Sequence, residues 1–129
     1  MKIPRYLIDS SVLIGNLRGQ EIARQLLYEM ANNICFVSVL TRLELLIGLR
    51  RRMGKETLEL LRVFPSLDVD RDITDLAGRY GRQYRNTHAR KTLDLMIAAT
   101  ARIHGLTLVT INARDFPMPG LTLYSVPTP

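Results

Sequence analysis

Residues 92–116 read TLDLMIAATARIHGLTLVTINARDF. Between Leu93 and Ile103 the run is nearly all apolar, the mark of a helix buried on most sides. His104 and Gly105 supply a turn. Leu106, Thr107, Leu108, Val109 and Thr110 follow as an apolar run, and Asn112 and Asp115 close the stretch. Asp94 opens the buried helix, so its carboxylate has a buried flank, and an unpaired charge there is costly. The following strand delivers further oxygen ligands after its last residue. No obvious Lys or Arg stands between the two groups of acceptors, which makes a divalent cation their natural partner. Asp94 taken alone has a second reading, as a first-turn acid that favours the helix dipole and the free N–H groups.

Upstream, residues 86–91 form a polar, basic connector, NTHARK, into the buried helix. Residues 70–85 are expected to form a long helix with Ile73, Leu76, Ala77, Tyr80 and Tyr84 on one face. Asp70, Asp72 and Asp75 crowd its start, where the dipole favours acids. Gly78 and Gly81 are expected to let a neighbour approach closely. Residues 67–69 are expected to be a short strand and residues 56–64 a short helix. Arg50, Arg51 and Arg52 form a basic run, which also suits a solvated helix end. Residues 48–55 do not make a phosphate loop, because the glycine spacing is wrong and Glu56 replaces the required hydroxyl.

Ser38 is expected to cap a helix with Val39, Leu43, Leu46 and Ile47 as its core stripe. Glu44 lies beside that stripe and borders the core, although Glu is also a good helix former on a surface. Residues 34–37, ICFV, read as a buried strand. Residues 21–31 read as an amphipathic helix with Ile22, Leu26, Leu27 and Met30 on one side. At the amino end, residues 5–8, RYLI, form a buried strand that stops at Asp9, and Ser10 and Ser11 start a helix. In a parallel sheet the residue past a strand's carboxyl end faces the ligand crevice; Asp9 is also a natural helix N-cap. His88 has no zinc-ligand partner, and His104 suits a helix end. Residues 118–120 form a turn, residues 121–124 a last strand, and Pro127, Thr128 and Pro129 a tail.

The 129 residues suffice for one domain with a proper core, here residues 1–129. Hydrophobic residues make up 47% and charged residues 23%, the balance of a folded globular protein. The single cysteine, Cys35, excludes a disulfide framework and a cysteine metal site, and suits a reducing compartment. Neither a signal peptide nor a membrane-length apolar run is evident, so a cytoplasmic location is expected. The net charge of +6, carried mostly by Arg, favours phosphate-bearing partners. Strands alternating with helices imply a three-layer α/β/α sandwich with a mainly parallel sheet. Asp9, Glu44 and Asp115 all fall just downstream of a strand's carboxyl end, and Asp94 borders the same edge. Four hard oxygen donors without His or Cys point to Mg²⁺ or Mn²⁺, and acids within a basic shell suit phosphodiester cleavage.

The stretches YLIDSSVLI, SVLTRLELLIGL, LDLMIAATARIHGLTLVT and TINARDF resemble PIN-domain proteins, specifically the VapC-type ribonuclease toxins of toxin–antitoxin pairs. They span most of the chain in the family's order; residues 54–91 carry little of the likeness. The resemblance implies that Asp9, Glu44, Asp94 and Asp115 are metal-binding acids, with Asp115 at the least uniform position. Ser10 and Thr110 match hydroxyl positions behind those acids, and Asn112 matches a polar position near the site. It implies a Mg²⁺-dependent endoribonuclease with water as nucleophile. It also implies a homodimer restrained by a cognate VapB-like antitoxin whose tail enters the acidic site. Arg90 and Lys91, with Arg50, Arg51 and Arg52, are the candidate RNA phosphate contacts. Leu13, Ile14, Leu17, Leu45 and Leu49 are either an apolar groove for an amphipathic antitoxin segment or ordinary core. Two rivals are a non-catalytic PIN-like RNA-binding or scaffold protein and a receiver-like phospho-Asp domain. The latter needs adjacent acids after the first strand and a late Lys; this chain has Ser10 and Ser11 after Asp9, and no Lys near Thr110.

Overall fold

Adjacent residues on each central strand enter different cores in the computed structural model, which describes residues 3–49, 54–85 and 91–124. Leu7 packs into one core and Ile8 into the other, and Leu108 and Val109 divide in the same way. Strand side chains alternate between faces, so an unbroken apolar run such as YLI or LTLV serves two layers at once. This is why the strands lack the polar alternation of a one-sided sheet.

The elements run β1 (Arg5–Ile8), α1 (Ser10–Leu17), α2 (Glu21–Met30), β2 (Ile34–Ser38), α3 (Val39–Ile47), α4 (Gly54–Val63), β3 (Ser66–Leu67), α5 (Arg71–Gln83), α6 (Thr92–His104), β4 (Thr107–Val109) and β5 (Leu123–Tyr124). A 3₁₀ turn, Ala113–Asp115, lies between the last two strands. Sheet order is β3-β2-β1-β4-β5, and every neighbouring pair is parallel. Helices α1–α4 supply the core on one face and α5 and α6 the core on the other. The expected three-layer α/β/α sandwich is therefore the observed one. The chain fills the sheet outward from β1 through β2 to β3, then returns to β1's other side for β4 and β5. Such a reversal opens a crevice at the strands' carboxyl ends, and β1 and β4 end there side by side. The Asp9 N–H donates to the Val109 carbonyl at 2.9 Å, which extends their pairing one residue beyond β1.

Local chemistry sets several boundaries. Asp70 caps α5, its Oδ1 accepting from the Ile73 N–H at 3.0 Å, which accounts for one of the three acids at that helix start. Ser38 caps α3 by accepting from the Leu40 N–H at 3.1 Å. Gly105 ends α6 in the left-handed region, with φ of 65°. A Cβ on Gly81 would come within 3.1 Å of Leu95, so this glycine lets α5 approach α6. Gly78 is exposed and faces only the end of Arg82, so it plays no such part.

The structure corrects several expectations. The core stripe of α3 is Thr41 and Leu45; Leu43, Leu46 and Ile47 are exposed, Ile47 at 76%. An apolar helix of this length has more apolar surface than one packing direction can cover, and its rotation about its axis decides which part is buried. For the same reason α2 buries Ala23, Leu26 and Met30 and leaves Ile22 exposed. Leu13 is wholly buried core and cannot line a groove. Strand β3 is Ser66–Leu67, paired to Val37 and Ser38, and ends before Val69. Strand β5 is limited to Leu123–Tyr124.

Candidate active site

Asp9 leaves β1 at the N-cap position of α1, yet its side chain makes no capping hydrogen bond. Its Oδ2 instead accepts from Ser11 Oγ at 2.7 Å and from Thr110 Oγ1 at 2.9 Å. The Thr110 hydroxyl in turn accepts from the Asn112 N–H at 2.9 Å. A relay thus runs from the backbone after β4 to the carboxylate after β1, and it exists because those strands are paired. Asp9 is 3% exposed. Burial raises its pKa above the ordinary value, the Ser11 and Thr110 hydroxyls oppose that rise, and the Asp115 carboxylate adds to it. The N-cap reading of Asp9 therefore describes its backbone only.

Glu44 reaches the same crevice from α3, across from α1. It is partly buried, and its Oε1 is enclosed without a hydrogen-bond partner among the described residues. Burial raises its pKa, with the Ser10 hydroxyl opposing and the Asp9 carboxylate reinforcing. Asp94 lies in the first turn of α6, and no side chain caps that helix. Its pKa is pushed up to about 6, first by burial and then by the carboxylates of Asp9 and Asp115, against a lowering by Lys91; Glu44 raises it further. A carboxylate serving only the helix dipole would be held charged more easily than in water, the opposite direction. Asp115 arrives on the 3₁₀ turn after β4.

Asp9, Glu44, Asp94 and Asp115 line one cavity of about 430 Å³ together with Ser10, Ser11, Lys91 and Asn112. Among the described residues, no three His, Cys, Asp or Glu side chains form a ready-made ligand cluster. The acids reach the cavity from the end of β1, from α3, from α6 and from the 3₁₀ turn, a spread that suits a hard cation that keeps several of its waters. All four donors are carboxylate oxygens, one of them an orphaned buried atom, so the chemistry of the set fits Mg²⁺ or Mn²⁺.

A second cavity of about 410 Å³ is mostly apolar and abuts the first, sharing Ile14, Arg18 and Glu44 as common wall. Ile14, Leu17 and Leu45 of the expected groove line it, joined by Ile47; Leu49 is partly exposed but is not in the lining. Of the expected RNA contacts, Lys91 lines the acidic cavity and is exposed. Arg50, Arg51, Arg52 and Arg90 lie outside the described residues. Ser11 and Arg18 were not singled out by sequence. Ser11 sits next to Ser10 with the same chemistry, and only the paired strands reveal which hydroxyl meets Asp9. Arg18 stands alone among apolar and neutral neighbours in sequence and gives no pattern to detect.

The family model of the PIN domain matches residues 6–117. Ribonuclease VapC19 of Mycobacterium tuberculosis is 39% identical over 119 residues, covering 87% of this chain and 92% of that protein. Ribonuclease VapC10 of the same organism is 40% identical over 117 residues, with 87% and 86% coverage. Among solved structures, a toxin–antitoxin complex from Klebsiella pneumoniae superposes with a TM-score of 0.76 at 28% identity, covering 94% of this chain and 99% of that one. VapBC2 from Rickettsia felis, bound to a promoter DNA fragment, shares the fold with a TM-score of 0.75 at 21% identity, with 95% and 98% coverage.

Proposed function

The chain belongs to the PIN-domain family, and from that premise we propose that it is a metal-dependent endoribonuclease, the toxin of a toxin–antitoxin pair. The observation that carries this reading is the meeting of Asp9, Glu44, Asp94 and Asp115 around one cavity. The ribonuclease names of the relatives support it. Residues 1–129 act as a single nuclease domain in the cytoplasm. Among the described residues no helix is long and apolar enough to cross a membrane.

Asp9, Glu44, Asp94 and Asp115 would hold Mg²⁺ or Mn²⁺ and are the catalytic acids. When bound, the cation lowers the pKa of water and offsets charge developing at the scissile phosphate. The residues divide the remaining work. Ser11 and Thr110 hold the Asp9 carboxylate in one orientation, and fixed ligand orientation raises metal affinity. Asn112 orders Thr110 through its backbone N–H, and Ser10 steadies Glu44. Like charge from Asp9, Asp115 and Glu44 crowds Asp94, so these carboxylates would be relieved by a bound cation. Lys91 offers a cation to the phosphate backbone at the cavity wall. Arg90, Arg50, Arg51 and Arg52 join it on the strength of their sequence positions.

The apolar cavity beside the acids suits an amphipathic segment of a VapB-like antitoxin. The solved toxin–antitoxin complexes of the same fold support such a partner. The toxin itself acts as a homodimer. The test is to sequence RNA ends after induced expression, beside cleavage by the purified chain with Mg²⁺ or with EDTA. New RNA ends that Asp94→Asn abolishes, and loss of cleavage in EDTA, are expected. Equal cleavage in EDTA, or the same ends from Asp94→Asn, overturns the mechanism.

A further inference from the structure

Helix α1 places Ser10, Ser11, Ile14, Gly15 and Arg18 along the acidic cavity. Their spacing puts them on one helical face. The eight steps from Ser10 to Arg18 span about 12 Å of helix at 1.5 Å each. Arg18 therefore lines the cavity about two helical turns along from Ser10. Lys91 stands on a different wall, at the start of α6. Two cations on separate elements thus share a cavity with the acids, an arrangement that suits a polyanion crossing it rather than a single small anion.

The turn that carries Arg18 is held rigidly. The N–H groups of Arg18, Gly19 and Gln20 donate to the carbonyls of Ile14, Asn16 and Gly15 at 3.0, 3.1 and 2.9 Å. Gly19 takes φ of 78°, a backbone state glycine adopts readily. A Cβ on Gly15 would lie 2.8 Å from the Ala23 Cβ, so the Gly15 backbone packs directly on the Ala23 side chain and draws α1 and α2 together just before the turn. Arg18 is exposed and, among the described residues, forms no ion pair. Its guanidinium is thus a free, fork-shaped phosphate donor on a fixed base.

We propose that Arg18 binds a phosphate flanking the scissile one, which makes the α1–α2 turn part of the RNA track. This rests on the ribonuclease reading above. Arg18 also walls the apolar cavity, so a contact to a protein partner is the competing outcome. The charge arrangement favours RNA, because Arg18 and Lys91 both line the cavity of the acids, while among the described residues the apolar cavity has Arg18 as its one cation.

The test uses the full chain carrying Asp94→Asn to stop turnover, a labelled single-stranded RNA, and a salt series from about 50 to about 200 mM. Adding Arg18→Ala should make the plot of log affinity against log salt shallower by about 0.7, the single-strand value for one phosphate. Arg18→Lys should restore the slope, since the charge remains, but not the full affinity, since the fork is lost. With Asp94 intact, Arg18→Ala should raise KM by a larger factor than it lowers kcat. An unchanged salt slope in a parent protein that does bind RNA overturns the assignment of Arg18 alone. An unchanged slope with weakened inhibition by the partner encoded beside it transfers Arg18 to the partner surface, and also overturns it. A parent that neither binds nor cleaves RNA overturns the ribonuclease reading and this inference with it.

Discussion

Replacing Asp94 by Asn should stabilise the metal-free protein at neutral pH and do nothing of the kind in acid. The folded-state pKa of about 6 lies above the ordinary 3.8. The folded chain therefore holds more of this proton than the unfolded chain between about pH 4 and about pH 6, and stability falls as pH rises through that window. The full displacement corresponds to about 3 kcal/mol. Asp94 is only half-buried, and solvent screening cuts this to about 1.5 kcal/mol. Asn also forfeits the favourable dipole interaction of a first-turn charge, about 0.5 kcal/mol. A net gain of about 1 kcal/mol remains, which is a rise of about 4 °C in Tm for a chain of this size. Thermal melts in EDTA at pH 7.5 and pH 4 measure it directly. In Mg²⁺ at about 100 times its Kd the order should reverse, because the parent gains about 2.7 kcal/mol that the variant largely lacks. An Asp94→Asn protein that melts below the parent at both pH values in EDTA would refute the electrostatic argument and return Asp94 to a dipole role.

Thr110→Val removes one of the two hydroxyls on Asp9 and the acceptor of the Asn112 N–H. Cleavage or Mg²⁺ affinity should fall about 10- to 100-fold, the usual loss when a ligand's supporting partner goes, as read by a Mg²⁺ titration of activity; an unchanged titration would show that Ser11 alone orients Asp9. Gly15→Ala drives a Cβ to within 2.7 Å of Gln20 and 2.8 Å of Ala23. Forced overpacking costs about 1–3 kcal/mol, so Tm should drop measurably, and a Tm at or above the parent's would show that the α1–α2 contact yields freely.

Much of this molecule follows from short-range pattern. The apolar runs RYLI, ICFV and LTLV announce buried strands, and the helices between them make a parallel sheet the only compact arrangement. Asp9, Glu44, Asp94 and Asp115 could be grouped from the sequence, since three of them follow a strand's carboxyl end, Asp94 opens the helix that borders the same edge, and a parallel sheet gathers those ends together. The helix start at Ser38 was legible because capping is a contact between residues two apart, and the one at Asp70 because acids gather where the helix dipole favours them. What stayed hidden depends on rotation and on partners distant in sequence. Helix α3 offers leucine or isoleucine in nearly every direction, so nothing local tells Leu45 from Leu43; packing against α1 and α4 buries the first and exposes the second. Ser10 and Ser11 are chemically alike, and only the tertiary structure, which pairs β1 with β4 and packs α3 against α1, puts Ser11 with Thr110 on Asp9 and Ser10 on Glu44. Arg18 is an ordinary surface arginine until the α1–α2 turn sets it in the lining of the acidic cavity. Residue identity and periodicity carried the layers and the carboxylate edge, because they need only the strand and helix repeats. The side chains that complete the site were decided by tertiary structure, because their positions depend on how each helix turns about its own axis when its neighbours arrive.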